Sequence, residues 1–135
     1  MKSQLFKIEE LVPKEVYQTR GDKAWELLDP NMIKVLDRIK KKFPKGSMTV
    51  NNWLWNGNRN WSGLRTPESP YYSKYSQHSF GRAFDAVFSK YTAEEVRQYI
   101  IDNLEEFPEV GGIELGISWL HIDVRNVEQV KMFYP

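Results

Sequence analysis

Ser76-Gln77-His78-Ser79-Phe80-Gly81-Arg82-Ala83-Phe84-Asp85 and Trp119-Leu120-His121-Ile122-Asp123 contain both histidines of the chain, each in a stretch that also carries an aspartate. Imidazole occurs nowhere else in the sequence. Its confinement to two short stretches rich in Ser, Gly, Trp and Asp points to use as a ligand rather than as filler. Neutral imidazole nitrogen and carboxylate oxygen suit a zinc ion, with three protein groups leaving a fourth position for water. The two stretches read as one metal site split across two segments, which the fold must bring together.

Strand parity sharpens the second stretch. Successive side chains of a strand point to opposite faces, so Trp119, His121 and Asp123 share one face while Leu120, Ile122 and Val124 form the apolar other. Asp123 can then serve either as an acceptor that orients an imidazole or as a group acting on metal-bound water. In the first stretch Gly81 suits a positive φ angle, turning the chain between a loop-borne His78 and a strand that carries Asp85 inward.

Outward from these motifs the chain reads as one α+β domain spanning residues 1–135, with a small antiparallel sheet flanked by helices. Its 135 residues suffice for a single core. Asp29-Pro30 starts a helix whose apolar Ile33, Leu36, Ile39 and Phe43 recur at helical spacing until Pro44 and Gly46 stop it. Thr92-Ala93-Glu94-Glu95 reads as a capping box opening a second helix, with Val96, Tyr99, Ile100 and Leu104 on one face. Strands are predicted over Met48–Val50, Phe84–Phe88 and Trp119–Val124. Asn51–Trp61, with Asn56-Gly57 at its centre, reads as a hairpin. Its Trp61 is a candidate for stacking on substrate.

Composition removes whole classes of function. The 19 basic and 18 acidic residues give a net charge of +1, which offers no electrostatic case for a nucleic acid. With no cysteine there is no disulfide, thiolate metal site or cysteine nucleophile, so a metal must be held by His, Asp or Glu. No stretch approaches the roughly 18 apolar residues of a membrane span. The charged N-terminal residues predict cytoplasmic synthesis without a signal peptide.

Ser62-Gly63-Leu64-Arg65-Thr66-Pro67, followed by the His78 and His121 stretches through Arg125, resembles in order and type the motifs of the D-alanyl-D-alanine carboxypeptidase-like zinc peptidases, which share the hedgehog signalling-domain fold. The resemblance covers about residues 49–125 and rests on Ser-x-His-x-x-Gly-x-Ala-x-Asp and Trp-x-His-x-Asp. It implies that His78, Asp85 and His121 bind Zn2+ and that Arg65 contacts substrate and stabilises negative charge. Members cut peptidoglycan stem peptides as carboxypeptidases, dipeptidases or L-alanyl-D-glutamate endopeptidases, the last including phage endolysins. The implied partner is a peptidoglycan stem peptide, met by a monomer at the cell wall after release or from within a virion.

Metal-assisted amide hydrolysis also needs a carboxylate to move the water proton to the leaving amine. Better-known members carry Glu or Asp three residues before the second histidine, where this chain has Ser118. Asp123 and Glu114 are the nearby carboxylates; strand parity favours Asp123, while a bend at Gly116 can aim Glu114 inward. Ser76, Gln77, Trp61 and Trp119 are the remaining candidates for holding substrate. The alternative is a non-catalytic zinc-containing binding module or a virion structural component on the same fold.

Overall fold

Pro13 and the Asp29-Pro30 pair set the starts of two N-terminal helices, α1 (Lys14–Arg20) and α2 (Pro30–Lys42), in the computed structural model, which describes residues 1–135. The Asp29 side chain accepts from the Asn31 N–H, satisfying one of the donors a helix start leaves open, and Pro30 loses nothing by lacking an N–H there. Lys40, Lys41 and Lys42 end α2 where cations complement the helix dipole. Helix α3 (Ala93–Asp102) begins at Thr92, whose hydroxyl accepts from the Glu95 N–H. It ends two residues before the predicted Leu104, which instead opens a 3-10 turn.

Five strands, β1 (Met48–Thr49), β2 (Ala83–Phe88), β3 (Gly112–Glu114), β4 (Leu120–Asp123) and β5 (Lys131–Phe133), form one sheet in the order β1-β2-β4-β3-β5. The sheet is mixed, not antiparallel as expected: β3 and β5 pair in parallel, while the other three pairings are antiparallel. The segment Leu115–Val130, which contains β4, carries the chain from β3 round to β5 as a crossover, and a crossover returns a strand in the same direction.

Register decides what the two faces carry. Asp85 pairs with His121 across β2 and β4, and Ala83 pairs with Asp123. On the other side of β4, Gly112 pairs with Asp123 and Ile113 with Ile122, so the next residue, Glu114, falls beside His121. Phe133 on β5 pairs with Glu114. One level of the polar face thus runs Asp85, His121, Glu114, Phe133. The opposite face presents Phe84, Ala86, Ile113, Leu120 and Ile122, all fully buried in a core shared with Met32, Ile33, Leu36 and Ile39 of α2 and Val96 and Ile100 of α3. Each of the larger side chains contributes about 1.5–3 kcal/mol by leaving water.

Asn51–Trp61 is not a hairpin. Residues Trp53–Trp55 form a 3-10 turn that ends at Asn56 in the left-handed region, φ 65°. Asn52 closes the loop on itself: its N–H donates to the Arg59 carbonyl and its side-chain oxygen accepts from the Arg59 N–H. The left-handed residue that would have made a two-residue hairpin turn here terminates a helical turn instead, because Asn52 captures the returning chain before a ladder can form. Trp53 donates its indole N–H to the Val12 carbonyl and stacks near Tyr17, whereas Trp55 is exposed.

The first thirty residues, silent in the motif reading, brace the motif loops. The Leu11 carbonyl accepts from Leu64 N–H, the Val12 carbonyl from the Asn51 side chain, and the Gly81 carbonyl from Asp29 N–H. Gly81 adopts φ 68°, as its place after the His78 turn predicted, and a Cβ there would also collide with the Leu27 carbonyl.

Candidate metal centre

His78, Asp85 and His121 converge: one ligand atom from each lies within 4.8 Å of the others. All three residues are buried at the floor of a cleft of about 600 Å³. The 3-10 turn Gln77–Phe80, capped by the Ser76 hydroxyl, aims His78 inward, and the β2–β4 pairing supplies the other two. His78 Nδ1 lies 2.8 Å from the Gly63 carbonyl oxygen. A carbonyl only accepts, so Nδ1 carries a proton, and Nε2, 3.3 Å from Asp85 Oδ1, is the nitrogen that faces the centre. His121 has the same arrangement with its nitrogens exchanged: Nε2 is 3.0 Å from Asp123 Oδ2 and Nδ1 is 2.9 Å from Asp85 Oδ1. Each imidazole is therefore held through its outer nitrogen by a fixed oxygen, as metal-ligating histidines are. Two imidazole nitrogens and a carboxylate oxygen, with their outer atoms already satisfied, form a donor set that fits a divalent ion.

Charge in the centre follows from the same contacts. Burial alone would raise the Asp85 carboxyl, yet hydrogen bonds from His121 and His78 hold it far below the ordinary carboxylate range. Burial also works against a charged His121, but hydrogen bonds to Asp123 and Asp85 outweigh it, and its pKa is pushed up to about 9. Asp123 is opposed by burial and pulled down to about 2 by hydrogen bonds from Arg125 and His121. Arg125 grips it through Nε at 2.7 Å and Nη2 at 2.6 Å, and lies over the Phe133 ring, which itself packs against His121. The Asp123 carboxylate occupies space that a Cβ at Gly112 would take, so glycine at its cross-strand partner position is a steric requirement.

Trp61, Arg65, Ser76, Glu114 and Trp119 line the cleft with the three candidate ligands. Two expected residues do not. Gln77 is absent from the cleft lining, and its side-chain oxygen is buried without a hydrogen-bond partner. Asp123, the carboxylate favoured as base, is wholly buried behind His121 and committed to Arg125. Its position is that of the orienting acceptor. The chain does bend at Gly116, φ 72°, and β3, unpredicted as a strand, puts Glu114 on the polar face beside His121. Alternation of Ile113 and Leu115 with Gly112 and Glu114 was the available signal. Ser118 is exposed in the turn before β4, and Trp119 falls just outside that strand.

Arg59 and Tyr71, to which the sequence assigned no role, also line the cleft, together with Asn58, Asn60 and Ser62. Arg59 donates from Nε to the Val50 carbonyl at 2.8 Å and from Nη2 to the Asp85 carbonyl at 3.2 Å. Arg65 donates from Nε to the Trp61 carbonyl at 2.7 Å and from Nη2 to Asp85 Oδ2 at 3.1 Å, with its guanidinium over Tyr71. Burial lowers the pKa of both guanidiniums and Asp85 opposes that shift. No helix is long and apolar enough to cross a membrane. In comparisons with known proteins, no family model, no curated protein and no solved structure matches this chain.

Proposed function

We propose that this chain is a zinc-dependent peptidase with the hedgehog/D-alanyl-D-alanine carboxypeptidase-like fold that hydrolyses an amide bond in peptidoglycan stem peptides, acting at the cell wall after release or from a virion. The observation that carries the reading is the convergence of His78, Asp85 and His121 within 4.8 Å at the base of an open cleft, each histidine anchored through its outer nitrogen. The motif resemblance supplies the substrate class.

When bound by these three residues, zinc supplies a Lewis acid that polarises the scissile carbonyl and acidifies a water. Glu114 is the base in this reading. It takes the proton of the attacking water and delivers it to the leaving nitrogen as the C–N bond breaks, the role left vacant by Ser118. Arg65, anchored at two points, presents its remaining donors to negative charge on the substrate. Asp123 and Arg125 keep His121 in one tautomer and one orientation throughout. Trp61, Tyr71 and Trp119 wall the cleft with rings that exclude water from a bound peptide.

The test is release of new amines from isolated sacculi or muropeptides by purified protein, zinc-replete and chelated. Chelator-sensitive release that zinc restores is the expected result. Silence of the zinc-loaded protein across stem types would overturn the peptidase reading in favour of a binding module.

A further inference from the structure

We propose that Arg59 is a specificity-determining residue which, together with Arg65, selects peptides carrying a free carboxylate next to the scissile amide. The inference rests on the peptidase reading and adds Arg59 as a second residue, beside Arg65, that recognises the carboxylate. Arg59 and Arg65 approach Asp85 from two directions, one on its backbone carbonyl and the other on its carboxylate. Each guanidinium is fixed by two hydrogen bonds, through Nε and Nη2, and in each Nη1 makes no hydrogen bond within the protein. Both residues line the same cleft. The cleft therefore carries two arginines, each with one terminal nitrogen left unengaged by the protein.

Two preorganised guanidiniums with spare donors match a carboxylate, whose two oxygens accept in one plane. Because the side chains are already held, little rotamer freedom is lost when the anion binds. Asp85 and Glu114 share the cleft and disfavour a doubly charged phosphate more than a singly charged carboxylate. Asn58, beside Arg59 on the cleft wall, carries an amide suited to a peptide group next to that anion.

The test uses zinc-loaded wild-type protein, Arg59→Gln and Arg59→Lys. The ligands are an N-acetylated peptide of L-Ala, D-Glu, L-Lys and D-Ala and its twin with every carboxylate converted to carboxamide. Affinity is read by titration calorimetry and released amines are measured in the same samples. Wild type should prefer the carboxylate peptide by about tenfold or more, the scale of a lost charge-assisted hydrogen bond. Arg59→Gln should erase most of that preference by weakening the carboxylate peptide far more than its carboxamide twin. Arg59→Lys, which keeps the charge but not the fork, should fall between. Equal loss of affinity for both twins, or full retention of the preference in Arg59→Gln, overturns the proposal and leaves Arg59 a structural clamp. Discrimination without hydrolysis sinks the peptidase reading alone, and hydrolysis without discrimination sinks this one alone.

Discussion

Replacing Asp123 by Asn probes how the centre holds His121. The Asp123 carboxylate is fully buried, accepts two hydrogen bonds from the Arg125 guanidinium and one from the Arg125 backbone N–H, and lies 3.0 Å from His121 Nε2. Its pKa is brought from an ordinary 3.8 to about 2 despite burial, which at about 1.4 kcal/mol per pKa unit corresponds to about 2 kcal/mol of folded-state stabilisation. Because the folded pKa is the lower one, this contribution is present above pH 3.8 and is lost as pH falls through about 2. At pH 7 the whole of it is at stake. An asparagine has one acceptor oxygen and one donor NH2, and in either orientation the NH2 faces donors: Arg125 Nε and backbone N–H at the Oδ1 place, or Arg125 Nη2 and His121 Nε2 at the Oδ2 place, so those contacts are lost. We expect a melting temperature lower by about 5–10 °C. We also expect zinc affinity weaker by about 10–100-fold, the usual consequence of freeing a ligating histidine. Competition with a chromogenic chelator measures the second quantity and thermal unfolding the first. Zinc affinity within about twofold of wild type, with unchanged melting, would refute the orienting role; an intact zinc site with turnover abolished would restore Asp123 as the base.

Three further substitutions or conditions test neighbouring parts of the account. Glu114→Gln should retain stoichiometric zinc while kcat on stem peptides falls by at least about 100-fold, the lower range for loss of a general base; turnover near wild type would remove Glu114 from the chemistry. Gly81→Ala meets both a positive φ of 68° and the Leu27 carbonyl, so denaturant unfolding should show a loss of about 1–3 kcal/mol, and an unchanged midpoint would mean that the His78 turn tolerates rearrangement. In the metal-free protein His121 has a pKa of about 9, so its contribution to stability is complete below pH 6.5 and fades as pH rises through about 9. Zinc must displace that proton, and its apparent affinity should climb by about tenfold per pH unit between about pH 7 and 8.5, then level off; a flat profile would contradict the protonated, doubly hydrogen-bonded imidazole.

The sequence made the ligand positions readable because each sits in a short local pattern: a capped turn ending in Gly81 for His78, and alternating strands for Asp85 and His121. The starts of α2 and α3 were equally legible, since Asp29 and Thr92 act on N–H groups only two or three residues away. What stayed hidden depends on partners far along the chain. β3 has three residues, too few for periodicity to stand out, and only its pairing with β4 and β5 places Glu114 beside His121. The parallel β3–β5 pairing is a property of the crossover path rather than of any dipeptide. Arg59 looked like one charge in an asparagine-rich loop, and its meaning comes from the Val50 and Asp85 carbonyls it reaches. The Asn56-Gly57 hairpin expectation failed for a related reason: Asn52 and Arg59 close that loop through contacts seven residues apart.

Diffraction from crystals of the zinc-loaded protein, with anomalous differences collected on both sides of the zinc absorption edge, is the most direct test of the central claim. The account predicts a single strong peak bounded by His78 Nε2, His121 Nδ1 and the Asp85 carboxylate, with metal–nitrogen distances of about 2.0–2.1 Å and a position open to the cleft. A peak elsewhere, or none at saturating zinc, would contradict it.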